Sequence, residues 1–153
     1  MQDVLIRANS DGLYDIVVEG NTFASAGGFE TAIPVSLFTD ARAPAALVQE
    51  PQRRRGWIGN MMTAETMRQL GSILWTLEQT RITRDTINIA RLAAQDAFAW
   101  MVEDGVALSV LVDVTQAPRG GLLITIQIQD TSNVVSRYQT LWRATNAAAI
   151  PNA

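Results

Sequence analysis

The sequence predicts an α+β fold in a single domain, residues 1–146. It comprises a long C-terminal β-hairpin plus an edge strand packed against two to three helices, a small N-terminal β-hairpin, and a frayed tail at 147–153. Three observations predict it. Val106, Leu108, Val110, Val112 and Val114 alternate with Ala107, Ser109, Leu111, Asp113 and Thr115, and beyond Ala117–Gly121 the residues Leu122, Ile124, Ile126 and Ile128 alternate with Leu123, Thr125, Gln127 and Gln129. Period-2 alternation on both sides of a Pro/Gly turn is a hairpin signal. Thr83 to Gly105 carries a helical apolar stripe able to cover that hairpin. The composition, 48% hydrophobic and 18% charged over 153 residues, suits one core built without staples.

In chain order, Val4–Ile6 and Leu13–Val18 are strands flanking the turn sequence Asn9–Gly12. Thr22–Gly28, small and polar, reads as a loop. A short helix follows over Phe29–Thr39, with a stripe of Ile33, Leu37 and either Phe29 or Phe38. With Thr31 as N-cap, Pro34 falls at N3, where no intrahelical N–H bond is lost. Asp40–Met62 is a long segment without periodicity, holding Pro44, Pro51 and the run Arg53-Arg-Arg-Gly-Trp57. Such segments are functional or disordered, and Arg and Trp are enriched where partners bind. A charge run is also simply a solvated face, and both readings stand.

Thr63 is the N-cap of a second helix reaching Gln79, with Glu65 in its first turn and Met67, Leu70, Ile73, Leu74 and Leu77 along one side; Trp75 lies off that stripe, free to meet another element. Thr83 caps the third helix, Ile82 and Ile87 have staple spacing, and Ile87, Ala90, Ala94, Ala97, Phe98 and Met101 line one face up to Gly105. Pairing Gln116 with Leu122 sets Val114 opposite Ile124, Val112 opposite Ile126 and Val110 opposite Ile128, and a one-residue slip would invert one strand. Burying each large apolar residue between helix and hairpin contributes about 1.5–3 kcal/mol. Val134–Trp142 is a last strand, polar enough for a sheet edge.

Composition also closes chemical routes. There is no Cys and no His, and all the basic residues are Arg. Thiolate, imidazole and Schiff-base chemistry are therefore excluded. A net charge of −3 argues against a non-specific nucleic-acid partner. The N-terminus lacks a signal peptide's pattern and no apolar run is long enough to span a membrane. The expectation is a non-enzymatic protein without cofactor, made in a cytoplasm.

Four segments carry a resemblance: Gly28-Phe-Glu30 leading into Ser36–Arg42, Arg55-Gly-Trp57-Ile-Gly59, Gly71–Glu78, and Ala99–Val106 running into the hairpin. In this order and spacing the chain resembles the Mu-like phage tail baseplate protein family, relatives of the gene-twenty-five-like wedge proteins that initiate the contractile sheath. The resemblance implies a virion protein around the tail tube, assembled in the host bacterial cytoplasm in six copies per baseplate. It implies contacts with baseplate wedge proteins, tail tube or hub proteins and the tail sheath protein, whose first ring it templates by β-strand addition. The family's acidic–Pro–Arg motif has its nearest match at Asp40-Ala-Arg42, which lacks the proline between acid and base. The expected wedge-partner interface is Asp40, Arg42, Arg53, Arg54, Arg55 and Trp57. The expected strand-addition edge is Val134, Ser136, Arg137, Tyr138, Gln139 and Thr140.

Two other classes remain open from the residues. A muralytic enzyme would need two carboxylates about 5–5.5 or 6.5–9.5 Å apart, and Glu30 with Asp40 is the pair to consider. An assembly or chaperone module of a related contractile secretion machine would reuse the same fold.

Overall fold

In the computed structural model, which describes residues 2–62 and 69–143, the N-terminal segment is three short two-stranded ribbons instead of one hairpin. Its strands are β1 (Gln2–Val4), β2 (Ile6–Ala8), β3 (Tyr14–Ile16), β4 (Val18–Glu19), β5 (Thr22–Phe23) and β6 (Ser25–Gly27). β1 pairs with β6, β2 with β3 and β4 with β5, all antiparallel. The ribbons meet in a cycle of backbone hydrogen bonds. Leu5 N–H donates to Ala24 O at 2.8 Å, Ala24 N–H to Val17 O at 2.8 Å and Val17 N–H to Leu5 O at 2.9 Å. The expected loop at Thr22–Gly28 is thus strand, because β1 and β4 take their backbone partners from it. Small Ala24 and Ala26 let three backbones close around buried Leu5. The turn after β2 forms as expected, with Asn9 Oδ1 accepting from the N–H groups of Asp11 and Leu13.

α1 (Ala32–Phe38) is shorter than the expected Phe29–Thr39, and Pro34 sits at N3 as expected. The Thr31 side chain does not cap it. Its hydroxyl donates to Val4 O and accepts from Ile6 N–H, tying the ribbons to the helix. A 3₁₀ turn at Pro51–Arg53 and α2 (Gly59–Met62) interrupt the long segment that follows.

The helix expected over Thr63–Gln79 does not form over its described residues, 69–79. Thr63, Glu65 and Met67 lie outside the described residues. Beyond them the chain makes only a 3₁₀ turn at Leu74–Leu77. Gly71 is the reason: its φ is +113°, and a Cβ there would fall 2.4 Å from Thr39 O. This close passage lets Ser72 N–H donate to Thr39 O and Ala41 N–H to Ser72 O, both at 2.9 Å. Backbone groups that a helix would use are spent on a parallel bridge. The apolar pattern survives in part, since Leu74 and Leu77 are buried.

α3 (Arg84–Ala97) begins at Thr83, whose side chain accepts from Thr86 N–H. The single helix expected as far as Glu103 is broken at Phe98 (φ −101°, ψ −1°), and α4 (Ala99–Glu103) follows. Ala90, Ala94, Ala97, Phe98 and Met101 are buried as expected; Ala93 is buried too, outside the expected stripe, and Ile87 is only partly buried.

The last three strands, β7 (Ala107–Gln116), β8 (Leu122–Asp130) and β9 (Val135–Trp142), form an antiparallel sheet in the order β7-β8-β9. Gln116 pairs with Leu122, Val114 with Ile124, Val112 with Ile126 and Val110 with Ile128, the register the alternation implies. That register does not extend to the start of β7. A shift between Ala107 and Ser109 turns Ala107 inward and leaves Leu108 half exposed, against expectation. The inner face lies on α3 and α4, with Leu122, Ile124, Ile126 and Ile128 fully buried.

Candidate functional site

The segment after α1 is organised by arginines. Arg55 has φ +47°. Its guanidinium makes a two-pronged pair with Glu78 (3.1 and 2.9 Å), reaches Asp40 Oδ2 at 3.2 Å, and lies 4.7 Å from the Trp75 ring centroid. The hydrogen bonds to Glu78, with lesser help from Asp40, raise the Arg55 pKa further above its ordinary value. Such a fork-on-carboxylate pair fixes orientation as well as charge. Trp75 Nε1–H donates to Ala41 O at 2.8 Å, so Trp75 does meet another element. Arg42 donates to Arg55 O and Pro51 O, and Arg54 to Val48 O and Gln49 O.

Of the six residues expected to meet a wedge partner, Asp40, Arg42, Arg54 and Arg55 are therefore engaged within the chain. Arg53 turns outward and, among the described residues, makes an exposed pair to Glu50, an interaction of small value. Trp57 is 47% exposed, and its indole lies against Gly59, where a Cβ would fall 2.1 Å from the ring. Ile58, Met61 and Met62 beside it are more exposed still. The sequence reading singled out Trp57 but missed these three and the role of Glu78. The apolar triplet around Gly59 was the available signal.

The strand-edge residues fall on β9 and the turn before it. Asp130 N–H donates to Val134 O at 3.0 Å, which fixes the phase of the β8–β9 ladder. Counting from that pair, Ile128 with Ser136, Ile126 with Tyr138 and Ile124 with Thr140 are hydrogen-bonded pairs. The N–H and C=O groups of Val135, Arg137, Gln139 and Leu141 then point away from β8, toward an edge that pairs with no other strand among the described residues. Their side chains lie on the outer face, whereas Ser136, Tyr138, Thr140 and Trp142 face inward.

Beside this edge stands the β2–β3 ribbon. A groove of about 810 Å³ lies between its Ala8–Tyr14 turn and Gln139–Arg143. A smaller one of about 270 Å³ continues toward Tyr138 and is backed by Ile33 and Pro34. Tyr14 touches both.

The other edge of the sheet differs. Ala117 N–H donates to Gly121 O, so the groups of Val110 and Val112 also point outward from β8. Here the Gln95 side chain meets them. Its Nε2–H donates to Val110 O at 2.7 Å and its Oε1 accepts from Val112 N–H at 3.1 Å. Periodicity could not reveal Gln95, a polar residue just off an alanine face.

Glu30 and Asp40, the carboxylates considered for glycoside hydrolysis, lie beyond opposite ends of α1, whose seven residues alone rise about 10 Å. Among the described residues, no three His, Cys, Asp or Glu are grouped to hold a metal ion, and no helix is long and apolar enough to cross a membrane.

Comparison with known proteins places the chain. The sequence profile of a family described as phage protein GP46 matches residues 29–135. Baseplate protein gp46 of Escherichia phage Mu is 30% identical over 132 residues, 85% of this chain and 89% of that protein. Mu-like prophage FluMu protein gp46 of Haemophilus influenzae is 32% identical over 136 residues, 88% of this chain and 92% of that protein. The matched span holds α1, the arginine-centred segment, α3, α4 and the hairpin. The chain belongs to the phage GP46 family of Mu-like baseplate proteins.

Proposed function

We propose that this protein is a non-enzymatic structural component of a contractile-tail baseplate, acting as one domain over residues 1–146, and that the free edge of β9 accepts a strand from the first sheath ring. The baseplate role rests on its relatives, one of which is named a baseplate protein. The observation that carries the strand-addition reading is the asymmetry of the sheet. β9 offers outward backbone groups at Val135, Arg137, Gln139 and Leu141 beside a groove, whereas Gln95 occupies the middle of the β7 edge. Main-chain pairing at an open edge supplies affinity, and alternate side-chain positions supply selectivity.

Wedge subunits meet the segment from Asp40 to Met62 in this reading. Asp40, Arg42, Arg54 and Arg55 give it shape, while Arg53, Trp57 and the exposed Ile58, Met61 and Met62 present its surface. Rigid shape beneath an exposed Trp is how anchors work at interfaces. Six copies, one per wedge, and assembly in the host cytoplasm complete the proposal.

The test is a pair of proline substitutions, introduced into baseplates otherwise lacking the protein. Gln139 N–H points outward, so Gln139→Pro folds; Tyr138 N–H faces β8, so Tyr138→Pro damages the sheet. Gln139→Pro is expected to enter the baseplate and fail to nucleate sheath. Full-length sheath on Gln139→Pro baseplates would refute strand addition at β9.

A further inference from the structure

We infer that the Gln95 carboxamide takes the place of a neighbouring strand on β7, and that it keeps a second copy of this chain from adding its β9 edge there. A carboxamide has the same donor and acceptor as a peptide group. Gln95 uses both, giving its N–H to Val110 O at 2.7 Å and taking the Val112 N–H at 3.1 Å. One residue of a parallel neighbour opposite Leu111 would make this pair of contacts. Gln95 is half-buried and comes from α3, which packs along β7, so the substitute strand is anchored by the core helix.

The need for it follows from the opposite edge. Among the described residues β9 leaves alternate N–H and C=O groups open, and an open edge templates any strand edge that fits. If β7 were also open, each molecule would carry two different sticky edges. Joining β9 of one copy to β7 of the next is a head-to-tail contact, which builds open-ended chains. With Gln95 in the middle of β7, a strand pairing there must first displace two hydrogen bonds made at no translational cost. The sheet is left able to grow on one side only. This inference rests on the β9 edge being free, as in the proposed function, and not on which strand fills it in the particle.

The experiment is sedimentation velocity on the full chain, as wild type, Gln95→Met and Gln95→Glu, over a wide concentration range, with amide exchange measured in parallel. Met keeps the length of the side chain and removes both hydrogen bonds. Glu retains an acceptor for Val112 but no donor for Val110, and serves if Met at this site disturbs folding. The wild type is expected to stay monomeric. The variants are expected to form concentration-dependent chains, and at low concentration Val112 N–H should exchange about tenfold faster, the scale of one hydrogen bond's net contribution. Adding Gln139→Pro in β9 should return them to monomers. Variants that remain monomeric at all concentrations overturn the inference, as does association that Gln139→Pro leaves unchanged. Monomeric Gln95 variants, together with loss of sheath nucleation by Gln139→Pro, would reject this inference alone. Chain formation with sheath nucleation intact in Gln139→Pro would reject the proposed function alone.

Discussion

The Tyr14 hydroxyl and Thr140 Oγ1 lie 2.9 Å apart, joining residues 126 positions distant in the chain and fastening the N-terminal ribbon to the inner face of β9. The Tyr14 ring also packs 5.2 Å from that of Phe38 at the end of α1. This hydrogen bond and ring contact hold the wall of the groove together with the Thr31 hydroxyl, which bonds Val4 O and Ile6 N–H. Tyr14→Phe should keep the ring and lose the bond, a cost of about 1 kcal/mol. For a chain of this size that lowers Tm by about 2–4 °C. A melt unchanged from wild type would mean that the ring contact and the Thr31 bonds hold the ribbon without this hydrogen bond.

Burial separates two neighbours on β7. Val112 is 8% exposed beneath the helices, and Leu111 is 64% exposed on the outer face. Val112→Asp leaves an unpaired carboxylate in the core and should cost about 3–5 kcal/mol, whereas Leu111→Asp should change stability by no more than about 0.5 kcal/mol. Denaturant titration of both variants checks this. Equal losses would place the outer face under cover as well.

Arg55 and Trp57 should fail in different ways. Arg55→Ala strands Glu78 and Asp40 and removes the cation from Trp75, so the segment from Asp40 to Trp57 should loosen, read as faster amide exchange at Ala43 and Trp57. Arg42→Ala should loosen it too, since its guanidinium holds Arg55 O and Pro51 O. Trp57→Ala should leave melting within about 0.5 kcal/mol of wild type yet reduce incorporation into baseplates. Normal incorporation of Trp57→Ala would remove Trp57 from the wedge contact.

Gly71→Ala asks for a backbone that L side chains rarely adopt and places Cβ 2.4 Å from Thr39 O. It should lower stability by at least about 1–3 kcal/mol, measured by denaturant titration, and disturb the Ser72 bridge to Asp40. Intact stability would show that the strand-like passage past Thr39 is dispensable.

These residues also mark how far the sequence could be read. The hairpin register was legible because period-2 alternation leaves one pairing that buries Val110, Val112 and Val114 with Ile124, Ile126 and Ile128. The Thr83 cap and the place of Pro34 were legible for the same reason, each being a local rule. What could not be read depended on distant backbone. Leu70 to Leu77 has helical spacing, yet Gly71 passes so close to Thr39 that strand-like bonding wins. The three-way junction at Leu5, Val17 and Ala24 has no pattern because its partners are main-chain groups. At the candidate site, Arg and Trp were recognised by type, but which arginine turns inward depends on Glu78, more than twenty residues away. Gln95 gave no signal, since its role exists only once β7 lies beside α3.

The most direct measurement is site-resolved amide exchange along β9, first in the free protein and then in baseplates carrying the first sheath ring. In the free protein Ser136, Tyr138 and Thr140 should be protected by β8, and Arg137, Gln139 and Leu141 should exchange fast. In the assembled particle all six should be slow, because an added strand takes the outward groups. Arg137, Gln139 and Leu141 still exchanging fast beneath a complete sheath ring would contradict strand addition at this edge.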